Sequence, residues 1–187
     1  SEDAEINVVH PFNQLAGADA YLNEFLLPLQ HSFKGLYRRD DIFMVGEFEG
    51  QNWISSTGYY VGQFVRDWIG LKATKTLSYI RYGEFHRIEK GQAVESYIYL
   101  DIPELMIACN LWPLDMGPGD SRGYTGLIQG PASRDGVLIN SLDPAEGQQS
   151  YQIVTDMLNK LATKDEAWRP YWHKNMMWYG PGAFGSF

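Results

Sequence analysis

The sequence predicts an α+β fold in which helices cap a curved antiparallel sheet. Three observations carry the prediction. An early stretch repeats apolar residues at helical spacing, the middle of the chain switches to period-two runs, and glycines interrupt one of those runs as bends require. At 187 residues and 44% hydrophobic content the chain is long enough to bury one full core.

The elements follow in order. From Ala18 to Phe33 the apolar residues Tyr21, Leu22, Phe25, Leu26 and Leu29 form one stripe, and Asp19 sits in the first turn, where negative charge is favoured. Pro28 should kink or shorten this helix, and Gly35 is a plausible stop. Strands are expected from Asp41 to Phe64, with Ile42 to Val45 first, a turn at Glu49-Gly50-Gln51-Asn52, and Trp53 to Phe64 second. Gly58 and Gly62 mark bends or bulges in the second strand.

The hairpin from Leu77 to Asp101 is the clearest local signal. Two β-rich runs flank Glu89-Lys90-Gly91; with Lys90-Gly91 as a two-residue loop, Glu89 pairs with Gln92. Continued without interruption, that register sets His86 opposite Glu95, Glu84 opposite Tyr97, and Tyr82 opposite Tyr99. One face then carries Tyr82, Glu84, His86, Glu95, Tyr97, Tyr99 and Asp101, and the other is aliphatic with Arg81 and Arg87. Three tyrosines beside acids and a histidine suit a pocket wall better than a solvated face. Asp101 would stand about 20 Å from His86 along the sheet, so His86 and Glu95 form the closer pair.

After Asp101, Pro103 opens a short helix. Residues 116–147 are rich in Gly and Pro and read as a linker. A helix near Gln148 to Leu161 carries Ile153, Val154, Met157, Leu158 and Leu161 on one stripe, and a second stretch runs from Glu166 to Trp172. The aromatic tail from His173 onward must dock on something.

Composition excludes several classes. Net charge is −8 with a pI near 4.9, and without a basic stripe the chain repels phosphate backbones, so no nucleic acid partner is expected. No run approaches the roughly 18 apolar residues of a membrane span, and the acidic start has no signal-peptide pattern, so a cytoplasmic location is the default. Cys109, the one cysteine, sits in an apolar run and reads as a small buried hydrophobe. His10 and His31 lack ligand-spaced partners, so no metal site is expected.

The segments Gly58-Tyr59-Tyr60-Val61-Gly62-Gln63-Phe64, Asp67-Trp68-Ile69-Gly70, Arg81 to Ile88 and Asp101-Ile102-Pro103-Glu104-Leu105-Met106 resemble, in order and spacing, the SnoaL-like polyketide cyclase family. The likeness spans roughly Val9 to Leu114. Two positions depart from the family pattern: Tyr59 stands where its histidine is usual, and Gly70 to Lys75 lacks its proline and second glycine. The resemblance implies the nuclear transport factor 2-like fold, a cone of strongly curved sheet under capping helices. It implies a cofactor-independent catalyst of an intramolecular aldol closure, a small-molecule ligand, and a homodimer. It also implies a SnoaL-like domain over residues 1–115. Residues 148–187 would be a helical tail like the opening helices of a second such domain, the first lacking its own.

The candidate catalytic residues are Asp101, which matches the family aspartate, with His86 and Glu84 inside the proposed cone. Each has a structural alternative: Asp101 as the N-cap of the Pro103 helix, and His86 with Glu84 as a hydrogen-bonded pair without chemistry. Trp53, Tyr60, Tyr82, Tyr97, Tyr99 and Trp178 are the candidate substrate contacts, with core or cap packing as the alternative. A non-catalytic binding or assembly domain of the same fold remains the rival reading.

Overall fold

In a computed structural model of the chain, the described residues are 3–111, 136–137, 143–163 and 166–176. They divide between two compact units, one carrying the sheet and the other residues 140–179.

The sheet unit opens with a small hairpin, β1 (Glu5–Val8) and β2 (Gln14–Ala16). Helix α1 (Gly17–Ala20) passes through a π-helical turn (Tyr21–Leu26) into α2 (Leu27–Ser32). The expected helix is therefore present, and Pro28 does not break it. The amide of Leu27 reaches back five residues to the carbonyl of Leu22. This wider loop accommodates a proline, whose ring would crowd a regular turn and whose nitrogen donates nothing.

Four long strands follow: β3 (Phe33–Phe48), β4 (Gln51–Phe64), β5 (Leu77–Glu89) and β6 (Gln92–Leu100), then helix α3 (Ile102–Ala108). The strand order is β2-β1-β6-β5-β4-β3, open at both edges. β1 runs parallel to β6, so the sheet is mixed rather than wholly antiparallel. Gly35 does not stop the chain: at φ +66 it sits in a bulge early in β3, which extends well before Asp41.

Bulges curve the sheet, in β3 between Lys34 and Tyr37 and between Asp40 and Ile42. At the second, β3 and β4 approach so closely that a Cβ on Gly58 would lie 1.9 Å from the Arg39 carbonyl oxygen. Gly62 meets the first, with Leu36 Cα 3.1 Å from its would-be Cβ. Both expected bends are thus real, and their cause is backbone approach. Gly58→Ala is expected to cost about 3 kcal/mol, because relief requires moving a carbonyl held in the ladder. A urea titration reads it, and a midpoint equal to that of the parent would refute the argument.

The concave face holds the core. Phe25 and Leu29 of the helix pack on Tyr60, Phe64, Ile80, Tyr82, Ile98 and Leu100, with Leu105 of α3 closing one end. The second unit holds α4 (Pro144–Ala162), longer at its start than expected and capped by Asp143, and a 3-10 turn at Glu166–Tyr171. Trp168 and Trp172 pack edge to face there, and the Trp172 indole N–H meets the Met157 sulfur. None of the described helices is long and apolar enough to cross a membrane.

Candidate functional site

The register of β5 and β6 decides which side chains share a wall. Glu89 pairs with Gln92 and Ile88 with Ala93, as expected, but Arg87 then pairs with Glu95. Val94 is an extra residue, and the one-residue bulge flips every later side chain of β6. His86 therefore lies opposite Ser96, Glu84 opposite Ile98, and Tyr82 opposite Leu100.

Two expected contacts, Tyr97 and Tyr99, move to the convex face as a result, and Glu95 goes with them. Tyr97 stacks with Trp53 at 6.5 Å between ring centres, and Tyr99, 54% exposed, meets Phe85 edge to face. Glu95 does not pair with His86; it accepts from Arg87 Nε at 2.7 Å and from the Tyr97 hydroxyl at 2.6 Å. Trp53, Tyr97 and Tyr99 thus stand outside the concave core. Trp178 lies outside the described residues.

Asp101 takes its capping alternative. Its carboxylate accepts from the Glu104 amide at 3.1 Å, and it is not among the residues lining the two cavities described below. Burial pushes the neighbouring Glu104 carboxyl up to about 8, the Asp101 charge adds to the rise, and Arg81 opposes it. One Glu104 oxygen is buried without a hydrogen-bond partner.

What the concave face does assemble is centred on Glu84. Its side chain is 1% exposed and collects three donors: Arg38 Nη1 at 2.6 Å, His86 Nε2 at 3.3 Å and the Tyr60 hydroxyl at 3.1 Å. Burial alone would raise its pKa, but the hydrogen bond from His86 and the charge and hydrogen bond of Arg38 outweigh it and hold it below the usual carboxylate range. A buried charge of this kind is tolerable only when so paired.

Arg38 ties the cluster together. Its Nη2 donates to Ser56 at 2.8 Å and its Nε to Asp40 at 2.9 Å and the Tyr82 hydroxyl at 3.1 Å, while the guanidinium lies 4.3 Å from the Tyr82 ring centre. The Tyr82 hydroxyl in turn donates to Asp40. Three phenols around the cluster resist ionisation. Burial pushes Tyr21 up to about 12 with the Glu84 charge adding to it, and the same two causes raise Tyr60; Tyr82 is raised by burial and by its bond to Asp40.

His86 is held at both nitrogens. Nε2 faces the Glu84 carboxylate and Nδ1 lies 2.9 Å from the Ser96 hydroxyl. A carboxylate only accepts, so the neutral ring carries its proton on Nε2 and accepts at Nδ1 from Ser96.

Two cavities adjoin this wall. One of about 240 Å³ is lined by Tyr21, Arg38, Glu84, His86, Ser96 and Ile98 among others, and one of about 540 Å³ by Leu26, Phe33, Leu36, Tyr37, Tyr60 and their neighbours. Tyr21 and Arg38 belong to both. Of the residues singled out from sequence, Glu84, His86, Tyr60 and Tyr82 come together. Arg38, Asp40, Ser56, Ser96 and Tyr21 complete the site and were not anticipated. The available signal was aliphatic: Ile98 and Leu100 must share a buried face with Ile80, which forces the flip at Val94.

No family model matches the chain, and no curated protein matches it. Solved structures do. AclR of Streptomyces galilaeus, described as a candidate hydroxylase, superposes with a TM-score of 0.50 at 15% identity, over 61% of this chain and 71% of that one. A SnoaL-like polyketide cyclase candidate from Jannaschia gives 0.48 at 12% identity, over 62% and 74%. A nuclear transport factor 2-like protein from Burkholderia thailandensis gives 0.45 at 18% identity, over 60% and 79%. At these identities the likeness is one of fold. The sheet unit is α+β, and its fold is similar to that of AclR over 61% of this chain.

Proposed function

We propose that the chain is a SnoaL-like, cofactor-independent acid/base catalyst that closes a ring in a small organic carbonyl substrate. The carrying observation is His86, fixed between a buried carboxylate and a serine hydroxyl on the wall of a cavity. A proton beside a carbonyl leaves carbon and reaches His86 Nδ1 by way of Ser96 Oγ. Glu84 stabilises the imidazolium so formed. The resulting enolate attacks a second carbonyl of the same molecule, one carbon–carbon bond forms, and the alkoxide takes the proton back. Nothing else is consumed. The apolar walls hold the chain in the folded-back geometry that makes this attack intramolecular.

The test needs no knowledge of the natural substrate. Deuterium uptake at the carbon beside the carbonyl of a cyclic monoketone in heavy water, followed by proton NMR, reads the first step. The chain should accelerate uptake, and His86→Ala should lose about 10²- to 10³-fold of that acceleration, the usual worth of a positioned base. A ketone that binds without faster exchange would instead support the non-catalytic binding domain.

A further inference from the structure

The space beneath the concave face is divided in two. The cavity of about 240 Å³ lies under β1, β6 and β5, where Ile6, Ser96, Ile98 and His86 line it. The cavity of about 540 Å³ lies under β4 and β3, where Tyr60, Phe33 and Leu36 line it. In the strand order β1-β6-β5-β4-β3 the two are neighbours, one toward each edge of the sheet. Among the described residues only Tyr21 and Arg38 line both.

Tyr21 spans the gap from helix to sheet at that boundary. It stands at the first residue of the π-helical turn, a widened geometry that recurs at functional sites. Its ring packs on Phe25 with 5.3 Å between centres, and Phe25 is fully buried and held edge to face by Phe12 at 5.1 Å. At the other end the Tyr21 hydroxyl shares a hydrogen bond with Tyr60 of β4. Tyr60 gives its one proton to Glu84, so Tyr21 is the donor in that bond. Both ends of the phenol are therefore fixed, the ring by the helix and the hydroxyl by the strand where the two linings meet. Arg38, the other shared residue, is locked by Glu84, Ser56, Asp40 and Tyr82 and cannot withdraw without stripping a buried carboxylate of its cation. Tyr21 is tethered to the sheet by one neutral hydrogen bond, so it is the removable half of the partition.

Size gives the division its consequence. The chamber beside His86 falls below the roughly 300–1,000 Å³ of pockets that enclose drug-sized ligands, whereas the two cavities joined fall within that range. The larger chamber is walled by Leu26, Phe33 and Leu36, which would reward any apolar extension that reached them.

We infer that Tyr21 is a specificity-determining residue, a partition that confines a ligand held at His86 to the smaller chamber and so limits its length. The inference rests on that chamber being the reaction site, as the proposed function holds, and adds the side chain that sets its far wall.

Cyclohexanone and 4-pentylcyclohexanone are the probes, with dissociation constants measured by NMR titration. The parent chain should bind the pentyl ketone no more tightly than cyclohexanone. Tyr21→Ala should favour the pentyl ketone at least about tenfold, since each newly buried methylene is worth about fourfold. Adding Leu26→Trp, which fills the larger cavity, should cancel that preference; a general loosening of the fold would leave it in place. Tyr21→Phe keeps the ring on Phe25 and releases the other end, so it should shift the ratio in the same direction by about threefold. It carries the test if the alanine variant does not fold. A parent that already prefers the pentyl ketone, or a ratio unmoved by the Tyr21 substitutions, overturns the length limit. The proposed chemistry would survive that result, because deuterium uptake by cyclohexanone reads it separately. A shifted ratio without faster uptake upholds the limit and removes the chemistry. Binding of neither ketone to any of these proteins overturns both.

Discussion

Replacing Glu104 by glutamine should stabilise the protein at alkaline pH and do little in acid. The carboxyl is raised by burial from an ordinary 4.5 to about 8, with the Asp101 charge adding to the effect. A raised carboxyl is neutral in the fold and ionised in the unfolded chain across that window. Its contribution to stability is complete below about pH 4.5 and is lost as pH rises through about 8. Glutamine cannot ionise, so the variant keeps what the parent loses. The gain above pH 8 should be about 3 kcal/mol, allowing for the solvent that still reaches the side chain. Urea midpoints measured from pH 4 to 9 would show the two proteins converging in acid and separating in base. Parallel profiles would mean that Glu104 finds a partner for its buried oxygen.

Arg38→Ala should act in the opposite pH direction. It strips the nearest cation from Glu84, a carboxylate with almost no access to water. Breaking a buried pair from one side costs about 3–5 kcal/mol, and the lower figure applies here because Arg38 itself is 33% exposed. The pairing holds the Glu84 pKa below its ordinary value, so its stabilising effect is present above that ordinary value and disappears as pH falls through the depressed one. The deficit of Arg38→Ala should therefore be largest near neutrality and shrink in acid. A deficit that does not vary with pH would assign the loss to packing against the Tyr82 ring instead. Together the two carboxyls predict a stability maximum in mildly acidic solution, Glu84 limiting it from below and Glu104 from above.

The two acids also show where sequence reasoning works and where it stops. Glu84 and His86 were legible because period two on a single strand fixes their common face, whatever lies beside them. Their partners were not. The Val94 bulge carries no glycine, and the loop residues Lys90 and Gly91, both at positive φ, set the first two pairs correctly and gave no warning of the slip. Tyr97, Tyr99 and Glu95 went to the convex face for that single reason. Trp53 followed from its pairing with Arg87, a contact between strands that no local pattern announces.

Arg38 was harder still. It lies on the part of β3 that the helical stripe and Gly35 obscured, and nothing in Tyr37-Arg38-Arg39-Asp40 distinguishes a surface strand from one that turns its arginine inward. The curvature that aims it at Glu84 comes from two bulges, and Gly58 and Gly62 are their counterparts on β4. The glycines were visible in the sequence; what they made room for was not.

By itself, then, the sequence determined the α+β class, the opening helix, the 89–92 turn, the bends at Gly58 and Gly62, and the face shared by Tyr82, Glu84 and His86. All of these depend on residues close together in the chain, where steric preference and periodicity decide the outcome. The tertiary structure alone decided the parallel entry of β1, the slip at Val94, the inward turn of Arg38, and the choice of Asp101 as a helix cap. Those depend on which strands become neighbours, and burial of the aliphatic face enforces that choice at a distance no local signal spans.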